Sequence, residues 1–184
     1  MGDIYGSMRH PSPPAERHDR LVALFEAHHV AVLGYLARRS ATPEQAADAF
    51  SDVFLVAWRR LDDVPAAPRE ARLWLYGVAR RTLANARRAL RRRDQLVARL
   101  AATLPRTAFV APAVEPTGSG QLRAALAQLS PDDAELLRLV AWEGLGPSEA
   151  AAVLDLSPDA ARSRLHRARA RLRSQLDPTP EEVR

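Results

Sequence analysis

The stretch that decides the fold is GPSEAAAVLDLSPDAARSRLHRARARLRSQL, residues 146–176. Two helices can be drawn in it, Pro147 to Leu154 and Pro158 to Leu176, with a turn of three residues between them. A turn of this length between two helices is typical of the helix-turn-helix, whose second helix lies in the major groove of DNA. A third helix, predicted from Pro131 to Trp142, precedes the pair.

The predicted helix from Pro158 has one apolar and one basic side. On a helical wheel its apolar stripe, which we expect to face a core, consists of Ala161, Leu165, Ala168, Leu172 and Leu176. Residues 158–173 hold six arginines and one acid, whereas residues 131–155 hold six acids and one arginine. This polarity predicts that the helix from Pro158 binds nucleic acid, although a basic helix that is only solvated has the same composition.

Prolines mark the boundaries of the helices. Thr42, Ser130, Gly146 and Ser157 each lie directly before a proline. A capping residue followed by proline at the first helical position is typical of a helix N-terminus. No segment alternates β-branched and polar residues as a strand would, so we predict an all-α fold.

The chain changes character at residues 101–120, AATLPRTAFVAPAVEPTGSG, where three prolines and two glycines interrupt any helical period. This composition predicts a flexible linker between two small helical domains. A long loop inside one domain is the alternative, but structureless loops of this length are uncommon in compact domains. We predict a disordered tail, a helical domain, the linker, a helix-turn-helix domain and a second tail, at residues 1–18, 19–100, 101–120, 121–176 and 177–184.

A second concentration of arginine lies in the helix predicted from Glu70 to Arg93. Its expected buried side consists of Ala71, Leu75, Ala79, Leu83, Ala86 and Leu90. Its arginine-rich arc consists of Arg80, Arg81, Arg87, Arg88 and Arg91. Gly77 lies on that arc, where a small residue would let a phosphate approach closely. Trp74 could stack on an exposed base, although a buried anchoring role is commoner for such aromatic residues.

The helix predicted from Pro43 to Leu61 has an acidic side instead. Its expected buried side consists of Ala46, Phe50, Val53, Phe54, Ala57 and Leu61. The opposite side consists of Glu44, Asp48, Ser51, Asp52, Leu55 and Arg59. An acidic stripe with an exposed leucine suits a protein partner that carries basic residues and would repel DNA, but many such stripes are merely solvated.

Composition excludes several classes of function. The chain has 184 residues and no cysteine, and all 27 of its cationic side chains are arginine. There is therefore no disulfide, thiolate metal site or cysteine nucleophile, and the five histidines lack the spacing of a metal pair. We expect a protein that is not an enzyme and has no metal, other cofactor or small-molecule substrate. Because we find no apolar run that approaches the roughly 20 residues needed to span a bilayer, we also expect no membrane insertion and a cytoplasmic location.

Two segments resemble the bacterial RNA polymerase sigma factors of the extracytoplasmic-function group. GLGPSEAAAVLDLSPDAARSRLHRARARLRSQL is similar to the fourth conserved region of that family. TPEQAADAFSDVFLVAWRRL, followed by ARLWLYGVARRTLANARRALRRR, is similar to its second. The resemblance implies an alternative sigma factor that binds core RNA polymerase and directs promoter recognition, DNA melting and transcription initiation. It also implies an anti-sigma protein as a further partner.

The resemblance implies a role for particular residues of this chain. Core polymerase would bind Asp48, Ser51, Asp52, Leu55 and Arg59. The minus-10 promoter element would contact Arg69, Trp74, Arg80, Arg81, Arg87, Arg88 and Arg91. The minus-35 element would contact Arg162, Ser163, Arg164, His166 and Arg167. Asp155 stands in the turn where the family favours glycine, and aspartate tolerates the left-handed backbone conformation better than most residues do.

Two other functions fit part of the sequence. A free-standing helix-turn-helix regulator, bound to an operator as a dimer, explains residues 131–176 but leaves the acidic stripe and the second basic helix without a role. An adaptor that binds only proteins is the other.

For a sigma factor, promoter elements about two helical turns apart lie about 70 Å apart, whereas a free 20-residue linker spans roughly 25 Å. The two domains would therefore have to be drawn apart on promoter DNA.

Overall fold

The computed structural model describes residues 14–101 and 120–176, which contain helices and short connections and no strand. The helices are α1 Pro14–Ala37, α2 Pro43–Arg59, α3 Pro68–Ala101, α4 Gly120–Ala127, α5 Pro131–Ala141, α6 Pro147–Val153 and α7 Pro158–Leu176. A single 3-10 turn, Leu61–Asp63, follows α2. The predicted all-α class is confirmed. Most of the predicted linker, most of the first predicted tail and all of the second lie outside the described residues.

The predicted helix starts are confirmed by their hydrogen bonds. At Gly146, which has no side chain to cap with, the backbone N–H donates to Oε2 of Glu149 at 2.8 Å. The three hydroxyl caps accept from the backbone N–H three residues on: Thr42 from Gln45 at 3.3 Å, Ser130 from Asp133 at 3.2 Å and Ser157 from Ala160 at 3.2 Å. These bonds satisfy N–H groups that a helix terminus leaves without an intrahelical partner.

The N-terminal domain consists of α1, α2 and α3, which pack against one another in pairs. Its largest fully buried side chains are Tyr35, Leu36, Leu61, Leu75, Val32 and Val53. The predicted buried side of α2 is largely confirmed, with Phe50 and Phe54 half-buried at its margin. On α3 the predicted burial ends at Leu83, since Ala86 and Leu90 are exposed. α1 begins at Pro14, so residues 14–18 form its first turn and do not belong to a tail as predicted.

α1 also corrects the expectation about apolar runs. Residues 15–37 form one helix that is long and apolar enough to cross a membrane by those two criteria alone. Leu24, Val32, Tyr35 and Leu36 on this helix are buried in the same core as residues of α2 and α3. Only one side of α1 is packed in this way, since Val30 and Leu33 on the same helix are exposed.

The C-terminal domain consists of α4 to α7. Ala161, Leu165 and Ala168 of the predicted stripe are buried, whereas the last member, Leu176, is exposed beyond the edge of the domain. The turn between α6 and α7 contains Asp155 at φ 56°, in the left-handed region. The helix-turn-helix and the left-handed turn residue are both confirmed.

The two domains are in contact with each other. α3 packs on α6, and buried residues of both domains form one continuous cluster. Gly77, which we predicted on an open arginine-rich face, is buried. Every residue from Leu75 to Ala79 is buried, because one side of this part of α3 faces its own domain and the other faces the C-terminal domain. The sequence pattern of α3 alone does not indicate the second contact.

Candidate nucleic-acid interface

The outer face of α7 presents four of the five residues expected at the minus-35 element. Arg162, Ser163, His166 and Arg167 are exposed because they lie on the side of α7 opposite its buried stripe. Arg162 forms an ion pair with Asp159 one turn earlier, and Nε of Arg167 donates to the carbonyl of Ser163 at 3.4 Å. These contacts are local to the helix and exposed, so they hold the guanidinium groups weakly and leave them free to turn towards a duplex.

Arg164 is placed differently from its four neighbours. Its Nε donates to Oδ1 of Asp133 on α5 at 2.8 Å, and its Nη2 lies 3.8 Å from Asp132. Burial disfavours the charged form of Asp133, but hydrogen bonds from Arg164 and Ser130 outweigh that effect and lower the pKa of the carboxyl. Arg164 therefore ties α7 to α5, a contact within the C-terminal domain.

The residues expected at the minus-10 element fall into two groups in the structure. Three of the seven form ion pairs with the C-terminal domain: Arg69 with Glu149, Arg80 with Asp132 at 3.1 Å and Arg81 with Asp155 at 3.5 Å. The remaining four keep contacts within the N-terminal domain or point to solvent. The arginine-rich arc of α3 is thus divided between a face that meets the C-terminal domain and a face that does not.

The four residues of the second group differ in exposure. Trp74 is half-buried, and the Arg60 guanidinium lies 5.8 Å from the centre of its ring. This placement fits an anchoring role for Trp74 better than an open surface on which a base could stack. Arg87 donates to the carbonyl of Arg39 at 2.8 Å, and Arg88 donates to Oδ1 of Asn85 at 2.5 Å. Arg91 is exposed on the same helix.

The acidic stripe on α2 is exposed as predicted. Its five candidate residues, none of which is buried, are Asp48, Ser51, Asp52, Leu55 and Arg59. Half of the Leu55 surface is accessible to solvent, an unusual position for a leucine in the middle of a charged helix face. Ser51 bonds only to its own helix, where its hydroxyl donates to the Ala47 carbonyl at 3.1 Å.

A groove of about 580 Å³ lies beside this stripe, between α2 and α3. Asp48 and Asp52 form part of one wall. The apolar lining consists of Ala49, Leu83, Ala86, Ala89 and Leu90, and the arginines along it are Arg39, Arg87 and Arg93. The sequence pattern did not predict this groove, because the groove forms only where α2 packs beside the outer half of α3. The exposed Leu90 at an apolar helical position is the one signal that could have indicated it.

Four buried polar residues at the contact between the domains were also missed: Tyr35, Arg39, Glu135 and Glu143. The Arg39 side chain is 3% exposed and that of Glu143 is 2% exposed. Arg39 lies in the turn that follows α1 and Glu135 lies beside leucines on α5, so the pairing joins residues about 100 positions apart. An acid in the apolar run AELLRLV was the available signal, and its partner could not be identified from local sequence.

Each half of the chain matches the sequence model of a known protein family. Residues 24–93 match Sigma-70 region 2, and residues 119–172 match Sigma-70, region 4. The RNA polymerase sigma factor CnrH of Cupriavidus metallidurans is 32% identical over 177 residues, which cover 91% of this chain and 92% of CnrH. The ECF RNA polymerase sigma factor SigL of Mycobacterium tuberculosis is 27% identical over 144 residues, which cover 78% of this chain and 81% of SigL.

Solved structures agree with these relationships. The structure of CnrH in complex with the cytosolic domain of CnrY has a TM-score of 0.60 and 26% identity, and covers 90% of this chain and 95% of that one. The sigma factor RpoE of Bartonella quintana, in complex with the anti-sigma factor NepR, has the same fold, with a TM-score of 0.52, 24% identity and coverage of 91% and 97%.

A protein whose two helical domains match sigma regions 2 and 4 is a transcription initiation factor of the sigma-70 type. The chain belongs to the extracytoplasmic-function group of RNA polymerase sigma factors, and the resemblance seen in the sequence is confirmed. The match of residues 24–93 disfavours the free-standing regulator, which gave that half of the chain no role.

Proposed function

We propose that this alternative sigma factor binds core RNA polymerase through α2 and contacts promoter DNA through α3 and α7. The observation that supports this division most directly is the separation of charge: an exposed acidic stripe on α2 in a chain whose α3 and α7 are rich in arginine. Acidic and basic faces on different helices allow a protein partner and a polyanion to bind at the same time without competing.

The polymerase-binding surface consists of the α2 stripe and the groove beside it. Leu55 provides the exposed apolar contact at its centre, and Asp48 and Asp52 provide charge on the wall of the groove. A basic, partly apolar helix of the partner fits such a surface, because buried apolar contacts give affinity and flanking charges fix orientation. Ser51 and Arg59 lie on the same exposed side and complete the stripe.

The minus-35 surface is the outer face of α7. Arg162, Ser163, His166 and Arg167 point away from the domain, as the second helix of a helix-turn-helix requires for entry into the major groove. Arg164 supports this surface from behind through its bond to Asp133.

The minus-10 surface comprises the beginning and the arginine-rich arc of α3. Arg69, Arg80 and Arg81 would neutralise phosphates there, with Arg87, Arg88 and Arg91 further along the helix. Trp74 supports the region from a half-buried position. The N-terminal domain therefore combines polymerase binding with the minus-10 contact, and the C-terminal domain provides the minus-35 contact.

An anti-sigma protein is a further partner under this proposal. CnrH, a relative over nearly the whole chain, has been solved in complex with the cytosolic domain of CnrY, and this supports a comparable partner here. The protein acts in the cytoplasm, where the polymerase and the DNA are, and it contributes binding surfaces to the polymerase without catalysing a reaction of its own.

Co-elution with sigma-free core RNA polymerase on a sizing column tests the polymerase surface. The wild-type chain is expected to co-elute, and an Asp48→Arg, Leu55→Arg double variant is expected to elute alone. The first substitution reverses the charge at position 48, and the second places a charge where the partner would cover an apolar side chain. A Glu26→Arg, Val30→Arg variant is the matched control, since it exchanges one exposed acid and one exposed apolar residue on α1. Failure of the wild type to co-elute, or equal loss in both variants, would contradict the assignment of α2.

A further inference from the structure

The groove between α2 and α3 has the size and the lining of a small-molecule site. Its volume of about 580 Å³ lies within the range of roughly 300–1,000 Å³ that is usual for such sites, which are mostly apolar with a few placed polar groups. Ala49 and Leu83 are buried at its base, and Leu90 is exposed along it. From Thr82 to Arg93 the lining extends about 16 Å along α3 at the rise of an α-helix. An elongated apolar molecule fits a groove of this form.

The turn between α1 and α2 adds polar groups that have unused hydrogen-bonding capacity. Arg39 and Ser40 both line the groove. Nε of Arg39 donates to Glu135 at 2.9 Å and Nη1 donates to Glu143 at 2.8 Å. In contrast, Nη2 of Arg39 and Oγ of Ser40 are buried and have no hydrogen-bond partner among the described residues. Buried polar atoms without a partner are unfavourable and rare, so they indicate a group that the protein itself does not supply.

Arg87 brings a second guanidinium to the same place. Its Nη2 donates to the Arg39 carbonyl at 2.8 Å, and its side chain is exposed beside the groove. Arg39, Ser40 and Arg87 therefore meet where the turn lies beside α3. Because a guanidinium has donors and no acceptor, the complementary group is one that presents oxygens, and an ionised carboxylate forms the stronger bonds.

The acids of α2 determine where a negative charge can lie in the groove. Gln45 is at the turn, since its Oε1 accepts from the Ala41 N–H at 3.2 Å. Asp48 and Asp52 line the groove about one and two helical turns further along α2. They disfavour an anion in that part of the groove, whereas the arginines favour one at the turn. The apolar part of the ligand is left to the floor formed by Leu83 and its neighbours.

We propose that the groove binds a free long-chain carboxylate, with the carboxylate at Arg39, Ser40 and Arg87 and the hydrocarbon chain along the floor between α2 and α3. Arg87 is exposed and makes the first contact, and a local movement of the side chains that cover Nη2 and Oγ gives the carboxylate access to them. The polymerase surface includes the same groove, so a bound carboxylate excludes the polymerase. This exclusion rests on the proposed function, whereas binding of the carboxylate does not.

Calorimetric titration of the whole chain with dodecanoate, below the concentration at which it forms micelles, tests the ligand class. Dodecyltrimethylammonium has the same hydrocarbon chain with a positive head, and butyrate has the carboxylate without the long chain. Dodecanoate is expected to bind at one site, and the other two compounds are expected to bind at least about tenfold more weakly, because each lacks one of the two recognised parts.

Substitutions on α3 test the location of the site. Leu90→Asp and Arg87→Gln should each weaken dodecanoate binding about tenfold or more. Leu96→Asp and Arg92→Gln are the matched controls, since both residues are exposed on α3 outside the lining of the groove and the changes in charge are the same. Circular dichroism reports whether each variant keeps its helices.

Ser40→Ala separates a ligand contact from a structural role. The hydroxyl has no partner among the described residues, so its removal should leave the thermal midpoint of the ligand-free chain unchanged or raise it. The same variant should bind dodecanoate several-fold more weakly, because one hydrogen bond to the carboxylate is lost.

Each outcome has a defined meaning. Dodecanoate binding that is weakened by the groove variants and not by their controls supports the proposal. Absence of binding to the wild type, or equal affinity of the Leu90→Asp and Leu96→Asp variants, would overturn the site. Equal binding of dodecyltrimethylammonium would overturn the anionic head group.

Co-elution with core polymerase in the presence of dodecanoate tests the exclusion separately. Loss of co-elution at concentrations that fill the groove supports it, and unchanged co-elution at those concentrations would overturn it. Failure to co-elute without dodecanoate would contradict the proposed function, and the titration with dodecanoate would still decide whether the groove binds the carboxylate.

Discussion

The hydroxyl of Tyr35 on α1 donates a 2.8 Å hydrogen bond to Oε1 of Glu135 on α5, across the contact between the two domains. Burial and the nearby carboxylate raise the pKa of Tyr35 well above its ordinary value of 10, so the hydroxyl keeps its proton as a donor throughout the physiological range. The Tyr35 ring also stacks on Tyr76 of α3, with 5.0 Å between ring centres. One side chain thus links the core of the N-terminal domain to the C-terminal domain.

Tyr35→Phe should lower the free energy of unfolding by about 1–2 kcal/mol, because the ring remains but a bond to a buried carboxylate is lost. Urea denaturation followed by circular dichroism measures the change. Ser174→Ala removes a hydroxyl that bonds only within α7 and should stay within about 0.5 kcal/mol of the wild type. Equal effects in the two variants would contradict a specific contribution from the Tyr35 bond.

Alanine substitution of two nearby arginines on α7 should affect different properties, DNA affinity at Arg167 and stability at Arg164. Arg167→Ala should weaken binding to duplex DNA roughly fivefold or more with no change in the thermal midpoint, because the side chain is exposed. Arg164→Ala should lower the free energy of unfolding by about 1–2 kcal/mol, because the Asp133 carboxylate loses its partner. Fluorescence anisotropy and thermal denaturation give the two readouts. A lower midpoint for Arg167→Ala would show that the exposed face has a structural role.

The turn before α7 should discriminate between side chains at position 155. Asp155 has φ 56°, a conformation that costs a β-branched residue about 2 kcal/mol and that asparagine adopts readily. Asp155→Val should therefore lower the thermal midpoint. Asp155→Asn, which also removes the charge that faces Arg81 at 3.5 Å, should leave the midpoint nearly unchanged. A similar loss in both variants would assign the effect to the ion pair and not to the backbone.

His28 should make the N-terminal domain sensitive to mild acid. Burial, and then the nearby Arg72 guanidinium, lower the pKa of this ring below its ordinary value of 6.5. As the pH falls through 6.5, the unfolded chain takes up a proton that the folded chain does not, so stability should fall from about pH 7.5 towards pH 5. His28→Gln should reduce that slope in urea denaturation, whereas His18→Gln, a change at an exposed histidine of α1, should not. The same slope in both variants would contradict the role of His28.

DNA binding by the free chain should depend steeply on salt. If about six arginines neutralise phosphates, the logarithm of the affinity should fall against the logarithm of the salt concentration with a slope near −5. Anisotropy titrations with a duplex of mixed sequence at several salt concentrations measure it. Arg162→Ala with Arg167→Ala should make the slope shallower by about 2. A slope near zero would exclude the arginine faces as the DNA-binding surface.

Local patterns predicted the helices well. Proline after a capping residue located the starts of α2, α5, α6 and α7, and periodicity identified the buried positions Val53, Leu75 and Leu165. The exposed residues of α2 and α7 followed from the same wheels. These features depend on neighbours within a few turns, and the sequence contains that information directly.

The contact between the domains could not be predicted in the same way. Arg39 and Glu135 are about 100 residues apart, and neither occupies a position that a helical wheel identifies as paired. Gly77 looked like an open position because arginines lie near it on the helix, yet it is buried, and the Arg81 side chain lies over it. An arginine with an acidic partner elsewhere in its own chain has the same sequence signature as an arginine with a phosphate partner.

The length of α3 has a mechanical consequence. Leu83 is the last buried side chain described on this helix, and the 18 residues that follow it, to Ala101, extend about 27 Å at the rise of an α-helix. A fully extended chain of the next 18 residues, 102–119, adds at most about 60 Å. Nearly a third of the greatest reach between the domains is therefore a stiff rod. Such a rod fixes the point and direction from which the remaining chain departs. The connection between the domains therefore begins about 27 Å from the core of the N-terminal domain and not at its surface.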